Sequence, residues 1–227
     1  MAAGWLNNAG HGSLKTRLAW ARGAFGGMLG IALAGGITML LEMKGVEMGG
    51  LSTLPFLVAP LGASAVLVFC VPASPLAQPW SVIGGNMISA IVGLSMGHLL
   101  GNPWLAASTG VGLAIVVMSL TRSLHPPGGA CALLYALGAT GEQHWGIGYL
   151  VPLALNLIFL FQVGWLYNNL TGHPWPHRAP KVHHKAPEPY TREDIEALLG
   201  EWDEVLDVDI DDLDAFVQAL LKRGRKA

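Results

Sequence analysis

Apolar residues run in long blocks along most of this chain, and the breaks between blocks predict where helices start and stop. Six windows emerge: 20–41, 54–71, 82–100, 104–121, 126–140 and 147–170. A helix needs about 20 apolar residues to cross a bilayer, so the fifth window is short and the second, interrupted by Pro60, is marginal. Trp20, Trp80, Trp104, Trp145 and Trp165 stand at or near window ends, as interfacial anchors do. Gly26-x-x-x-Gly30 and Gly93-x-x-x-Gly97 offer surfaces on which helix backbones approach closely, and they permit a homodimer.

Charge sharpens the picture. From Gly23 to Leu170 the only charged side chains are Glu42, Lys44, Glu47, Arg122 and Glu142. So few charges cannot cover a water-soluble core, and the expectation is an integral membrane protein embedded in the lipid bilayer. The whole chain is 12% charged, against about a quarter for soluble domains. A net charge of −2 without a basic face excludes nucleic acid as a partner. Cys70 and Cys131 lie in apolar runs and read as small buried hydrophobes. The first run is longer than a signal-peptide core and reads as a retained span.

The chain divides into a cytosolic polar lead (1–19), a membrane body (20–170), a Pro/His-rich linker (171–189) and a charged C-terminal module (190–227). With a cytoplasmic N-terminus, six crossings place Lys15, Arg17, Arg22, Arg122, Arg178, Lys181 and Lys185 inside and only Lys44 outside. Leaving the fifth run uncrossed levels that count. Six segments, with both termini in the cytoplasm of a bacterial inner membrane, are therefore expected.

An internal repeat points the same way. Residues 60–67 read Pro-Leu-Gly-Ala-Ser-Ala-Val-Leu and residues 127–134 read Pro-Gly-Gly-Ala-Cys-Ala-Leu-Leu, identical at five of eight positions. The first copy lies in segment two and the second opens segment five, so each half has three segments and the halves face opposite ways. The expected fold is an all-α polytopic bundle of two inverted halves, with short or broken second and fifth segments and a small cytosolic helical hairpin.

The candidate chemistry sits at the breaks. In Arg122-Ser123-Leu124-His125-Pro126-Pro127-Gly128-Gly129-Ala130, Pro126 pushes His125 out of the helical region and ends segment four. Pro127 suits the first turn of a new helix. Gly128 and Gly129 lack side chains, and the amides of Gly129, Ala130 and Cys131 are expected to be free donors at the positive end of a helix dipole, an anion site. Gly62, Ala63 and Ser64 supply the matching helix start from the other half, with the Ser64 hydroxyl as an extra donor. Arg122 and His125 add positive charge, and His125 titrates near neutral pH. The plainer alternative is a chain turn, with Arg122 reaching the headgroups and His125 bonded to a carbonyl.

Pro-Leu-Gly-Ala-Ser-Ala-Val-Leu (60–67), Ser-Pro-Leu-Ala-Gln-Pro (74–79), Val-Ile-Gly-Gly-Asn (82–86) and Ser-Leu-His-Pro-Pro-Gly-Gly-Ala (123–130) resemble the HPP family of integral membrane proteins, named for the triad matched by His125, Pro126 and Pro127. The resemblance covers about residues 20–170 and implies a small-anion transporter, since plant chloroplast members move nitrite. It also implies about four spans, fewer than the windows suggest. Bacterial members often continue into paired CBS domains; none is expected here, and adenine-nucleotide regulation in cis is not implied. The family places a basic residue after Gln-Pro where this chain has Trp80, a departure that bears on nitrite in particular.

Asn86 is a further candidate for the path, with His98 and Asn156 behind it; each also reads as a helix-packing hydrogen bond. His173, His177, His183 and His184 among five prolines make a poor metal site, so no metal or cofactor is expected. Thr191-Arg192-Glu193-Asp194 fits a capping box before an amphipathic helix, and a second helix is expected from Asp209 or Asp211. Asp212 and Gln218 stand where a calcium loop needs Gly and Glu, which rules an EF-hand out. The expected function is a carrier or channel for a small, nitrite-like anion held at two helix starts at mid-membrane. The rival is a non-transporting scaffold or sensor whose C-terminal module binds a cytosolic partner. An enzyme ranks last, for want of a His-x-x-Glu-His or Gly-x-Ser-x-Gly pattern.

Overall fold

The computed structural model describes residues 19–43, 57–178, 190–202 and 208–224. The described elements are helices α1 (Ala19–Met43), α2 (Pro60–Cys70), α3 (Pro79–Leu100), α4 (Pro103–Leu120), α5 (Pro126–Thr140), α6 (Leu150–Leu170), α7 (Arg192–Trp202) and α8 (Ile210–Gly224). Short 3-10 turns lie at Pro75–Ala77 and Ile147–Tyr149, and no strand occurs among the described residues. Lys15, Arg17, Lys44, Lys181, Lys185, His183 and His184 lie outside the described residues.

Proline sets most of the boundaries. α2, α3, α4 and α5 each open on a proline, where the missing N–H would have no helical partner in any case. Asn102 caps α4 by accepting from the Leu105 N–H at 3.1 Å. α3 stops at Gly101, whose φ of 64° is a left-handed conformation that glycine adopts without strain. Trp20–Leu40, Pro79–Leu100, Pro103–Leu120 and Ile147–Leu170 are long and apolar enough to cross a membrane. With 11 and 15 residues, α2 and α5 are not.

The helices pack as two trios, α1–α2–α6 and α3–α4–α5, joined where α3 meets α6 and α2 meets α5. Glycine makes the α3–α5 crossing close: a Cβ at Gly93 would collide with the Ala132 carbonyl, and one at Gly97 with Ala139. Gly26 and Gly30 pack on the rings of Phe69 and Tyr167 and on Leu160. Both Gly-x-x-x-Gly surfaces are thus spent inside the chain. Outside the bundle, Leu120, Leu170 and Ile147 stand exposed, as side chains do when the solvent is lipid.

Two clusters fix the chain direction. Arg22 at the start of α1 donates to the Phe69 carbonyl at the end of α2, at 2.6 Å, and to Asn168 Oδ1 and Thr171 Oγ1 at the end of α6, at 3.0 and 3.3 Å. There the guanidinium complements two helix C-termini. At the opposite end, His98 of α3 bonds the Trp145 carbonyl at 2.8 Å, and the Tyr135 hydroxyl of α5 donates to the Tyr149 carbonyl at 2.7 Å. Trp145 stacks on Tyr149 with ring centroids 4.4 Å apart.

Past α6 the chain returns to the body. Trp175 is buried and its indole N–H donates to the Ala77 carbonyl at 3.0 Å. His177 Nε2 donates to Asp212 Oδ2 of α8 at 2.8 Å, which ties the C-terminal helices to this end of the bundle. Thr191 caps α7 by accepting from the Asp194 N–H at 3.3 Å, while Asp194 Oδ2 accepts from the Thr191 N–H at 2.6 Å. This is the reciprocal arrangement of a capping box.

Candidate functional site

The loop 71–78 between α2 and α3 folds inward under its own side chains. Ser74 accepts from the Leu76 N–H at 3.1 Å, and Gln78 Nε2 donates to the Pro72 and Ser74 carbonyls at 3.0 and 2.8 Å. This leaves the Leu76 carbonyl free to meet His125 Nδ1 at 2.8 Å. A carbonyl only accepts, so Nδ1 carries the ring proton and a neutral His125 has Nε2 bare.

His125 is the residue before α5, extended at φ −146° as its following proline requires. Its Nε2 lies 2.9 Å from Ser64 Oγ, in the first turns of α2. Asn86 of α3 donates from Nδ2 to Ser64 Oγ at 3.0 Å and to the Val82 carbonyl at 2.8 Å. Its Oδ1 accepts from the Cys131 thiol of α5 at 3.0 Å. All four side chains are buried. Asn86 stands seven residues into the 22-residue α3, about 10 Å along a helix of about 33 Å. The node therefore sits a third of the way along α3 and not at its middle.

The structure brings Ser64, Asn86, His125 and Cys131 together and separates the other candidates. Arg122 is exposed in a left-handed turn, φ 52°, and does not reach the node. Gly62 and Ala63 face outward; Gly62 lines a groove of about 560 Å³ with Gly23, Gly27, Ile31, Val66 and Cys70, whose walls are mostly apolar. Pro126 and Ala130 are exposed, Gly129 half-buried and Pro127 buried. Gly128 is packed so tightly that a Cβ would touch Ser89 Oγ, Met118 and the Gly85 carbonyl. Ser89 Oγ is fully buried and has no hydrogen-bond partner.

The expected bare amides are not there. α5 begins at Pro126, so the N–H of Gly129 is already its first i→i−4 donor and those of Ala130 and Cys131 follow within the helix. Of the positions that helix leaves open, Pro126 and Pro127 have no N–H, and Gly128 donates to the His125 carbonyl at 2.8 Å. In α2, Leu61 and Gly62 donate to the Val58 and Ala59 carbonyls at 3.0 and 3.1 Å, and Ala63 and Ser64 lie inside the helix. The two helix starts do meet, but side chains make the junction.

A related cluster lies in the other trio. Asn156 of α6 donates to Thr38 Oγ1 at 3.0 Å and accepts from the Val58 N–H at 3.4 Å. Trp80 is exposed, and its N–H donates to the Thr121 carbonyl at 3.0 Å. Among the described residues no group of three or more His, Cys, Asp or Glu could hold a metal. Sequence reasoning missed the Leu76 carbonyl, whose only signal is the Ser74-Pro75 turn within Ser-Pro-Leu-Ala-Gln-Pro (74–79). Arg22 and Trp175 also escape it, because the sequence presents one as a topology marker and the other as part of a linker.

An all-helical fold among the described residues, with four helices there able to span a membrane around a buried polar node, defines an integral membrane protein. The HPP transmembrane-region signature matches residues 13–176, and the chain belongs to that family. It is 39% identical over 119 residues to a transmembrane protein of Dictyostelium discoideum, covering 50% of this chain and 41% of that protein. A second transmembrane protein of the same organism is 40% identical over 120 residues, covering 50% and 38%. The chain thus spans about two fifths of the length of these curated relatives. No solved structure matches it.

Proposed function

We propose that this protein carries a small inorganic anion of the nitrite kind through the membrane, binding it at the Ser64–His125–Asn86–Cys131 node. The observation that carries this reading is the node itself: polar side chains from α2, α3 and the start of α5 converge in an apolar bundle. Polar and ionisable groups inside a membrane are costly and mark transport paths. The unpartnered Ser89 hydroxyl beside Gly128 adds a spare donor at its edge, and the positive end of the α5 dipole points at it.

Six passes in two inverted halves suit the packing. Exchanging α1 with α4, α2 with α5 and α3 with α6 turns one trio into the other and leaves the two joining contacts in place. Ser64 and Cys131 then correspond. With every node residue buried, this conformation is occluded, and rocking of one trio against the other would open it to each side in turn. The basic residues favour a cytoplasmic placement for the Arg22 end. In proteoliposomes, wild type takes up nitrite, nitrate or formate and His125→Ala does not; wild-type flux equal to protein-free liposomes refutes the reading.

The scaffold reading keeps one observation on its side: Phe216 and Leu220 of α8 are exposed on a helix bearing Asp211, Asp212, Lys222 and Arg223. Deleting 190–227 decides between the two. Intact flux with a lost cellular phenotype favours the scaffold.

A further inference from the structure

At the centre of the node one hydroxyl proton has two acceptors. Ser64 Oγ lies 2.9 Å from His125 Nε2 and 3.3 Å from the Pro60 carbonyl. Because Leu76 holds the ring proton on Nδ1, a neutral His125 takes the Ser64 hydroxyl proton at Nε2, and Ser64 accepts from Asn86. Every donor of Ser64, Asn86 and Cys131 is then spent within the node. What remains is the neutral Ser89 hydroxyl.

Such a site cannot hold an anion, because nothing offsets the charge and one hydroxyl is a poor replacement for a hydration shell. Adding a proton at Nε2 supplies the missing charge. His125 becomes a cation with two N–H donors, and Ser64 turns its hydroxyl to the Pro60 carbonyl that is already in place. The Nε2–H then points at Ser64 Oγ, which keeps its acceptance from Asn86.

The surroundings leave this task to His125. α2 presents Ser64, the 75–77 turn presents the Leu76 carbonyl, and α3 presents Gly85 and Asn86. α5 presents the Cys131 thiol, which is turned to Asn86. Arg122 on the preceding segment is exposed. No carboxylate or second cation from the described residues bonds the ring or its partners.

We propose that the node takes one proton on His125 Nε2 with each anion, so that the translocated unit is an anion–proton pair and Ser64 is the hydroxyl switch that admits it. The proton enters from the side on which the anion binds and leaves to the side on which it is released. This rests on the anion reading above and adds its co-substrate. The Pro60 carbonyl is the second rest position of the switch.

Two measurements on the full chain test it. In proteoliposomes loaded with a pH dye and a voltage dye, external nitrite enters with matching acidification of the lumen and no voltage, and an inward proton gradient drives it uphill. Nitrite entry that makes the lumen negative at unchanged pH overturns the proton coupling while the anion reading stands. No entry above protein-free liposomes overturns both. By nitrogen-15 NMR of histidine-labelled protein, with His125 assigned by difference from His125→Gln, the nitrite-free alkaline state shows the Nδ1–H tautomer. Acid with nitrite protonates both ring nitrogens. An Nε2–H tautomer without nitrite, or a ring that stays neutral with it, contradicts the switch.

Discussion

Ser64 and Cys131 are held by opposite ends of one amide: Asn86 donates to the first at 3.0 Å and accepts from the second at 3.0 Å. These two residues occupy the same position in the two copies of the internal motif. A single asparagine thus joins α2 to α5 through α3. Asn86→Ala removes both links and leaves the Val82 carbonyl without its side-chain donor. Hydrogen bonds between membrane helices are each worth about 0.6 kcal/mol, up to about 1.7, so thermal unfolding in detergent should show a loss of about 1–3 kcal/mol for the set. The Ser64→Ala and Asn86→Ala effects should be non-additive, because they share a bond.

Gly93 separates close packing from mere helix propensity. A Cβ there would collide with the Ala132 carbonyl, which is backbone and cannot rotate away. Gly93→Ala should therefore abolish a monodisperse peak in size-exclusion chromatography. Gly27, with nothing within 4 Å of its added Cβ, should tolerate alanine with no loss.

Trp175 acts on the node through one turn. Its indole N–H bonds the Ala77 carbonyl, next to the Leu76 carbonyl that holds His125. Trp175→Phe keeps the packing on Phe161 and frees a buried carbonyl, at a cost of about 1–3 kcal/mol. Anion uptake should fall while the chain stays folded, and the His125 ring resonances should shift. Unchanged resonances would limit Trp175 to packing.

The helix starts were legible in the chain because proline dictates them: Pro60 and Pro126 open α2 and α5 as their chemistry requires. That Ser64 and Cys131 hold the same place in two similar stretches was legible in the chain; that Asn86 joins them was not. Which atoms face the junction was not. Two consecutive prolines advertise a helix N-terminus and in the same stroke delete two of its donors, while Gly128 spends its own amide on the His125 carbonyl. Arg122 went astray because a left-handed turn decides where its side chain points. The Leu76 carbonyl is signalled by the Ser74-Pro75 turn alone, which does not say where the carbonyl points.

His177 and Asp212, partly buried and 2.8 Å apart, tie α8 to the segment that follows α6. Pairs of this kind are worth about 0.2–1 kcal/mol. His177→Ala should speed amide hydrogen exchange in α8 by about twofold to fivefold. Asp212→Asn should do the same, and the double substitution should add nothing further.

Thr191→Ala deletes the cap of α7, worth about 1 kcal/mol. Hydrogen exchange should quicken in the first turn of α7, at Arg192–Ile195, and remain unchanged in α3, which it does not touch.

Cys131 reports on the node most directly, because its thiol bonds Asn86 and the other cysteine, Cys70, can be replaced. In a Cys70→Ala protein reconstituted into liposomes, a small methanethiosulfonate should react with Cys131 slowly, as the occluded node opens, and saturating nitrite should slow that reaction further. A thiol that never reacts, or reacts at one rate whatever the anion concentration, would contradict the placement of an anion at this node.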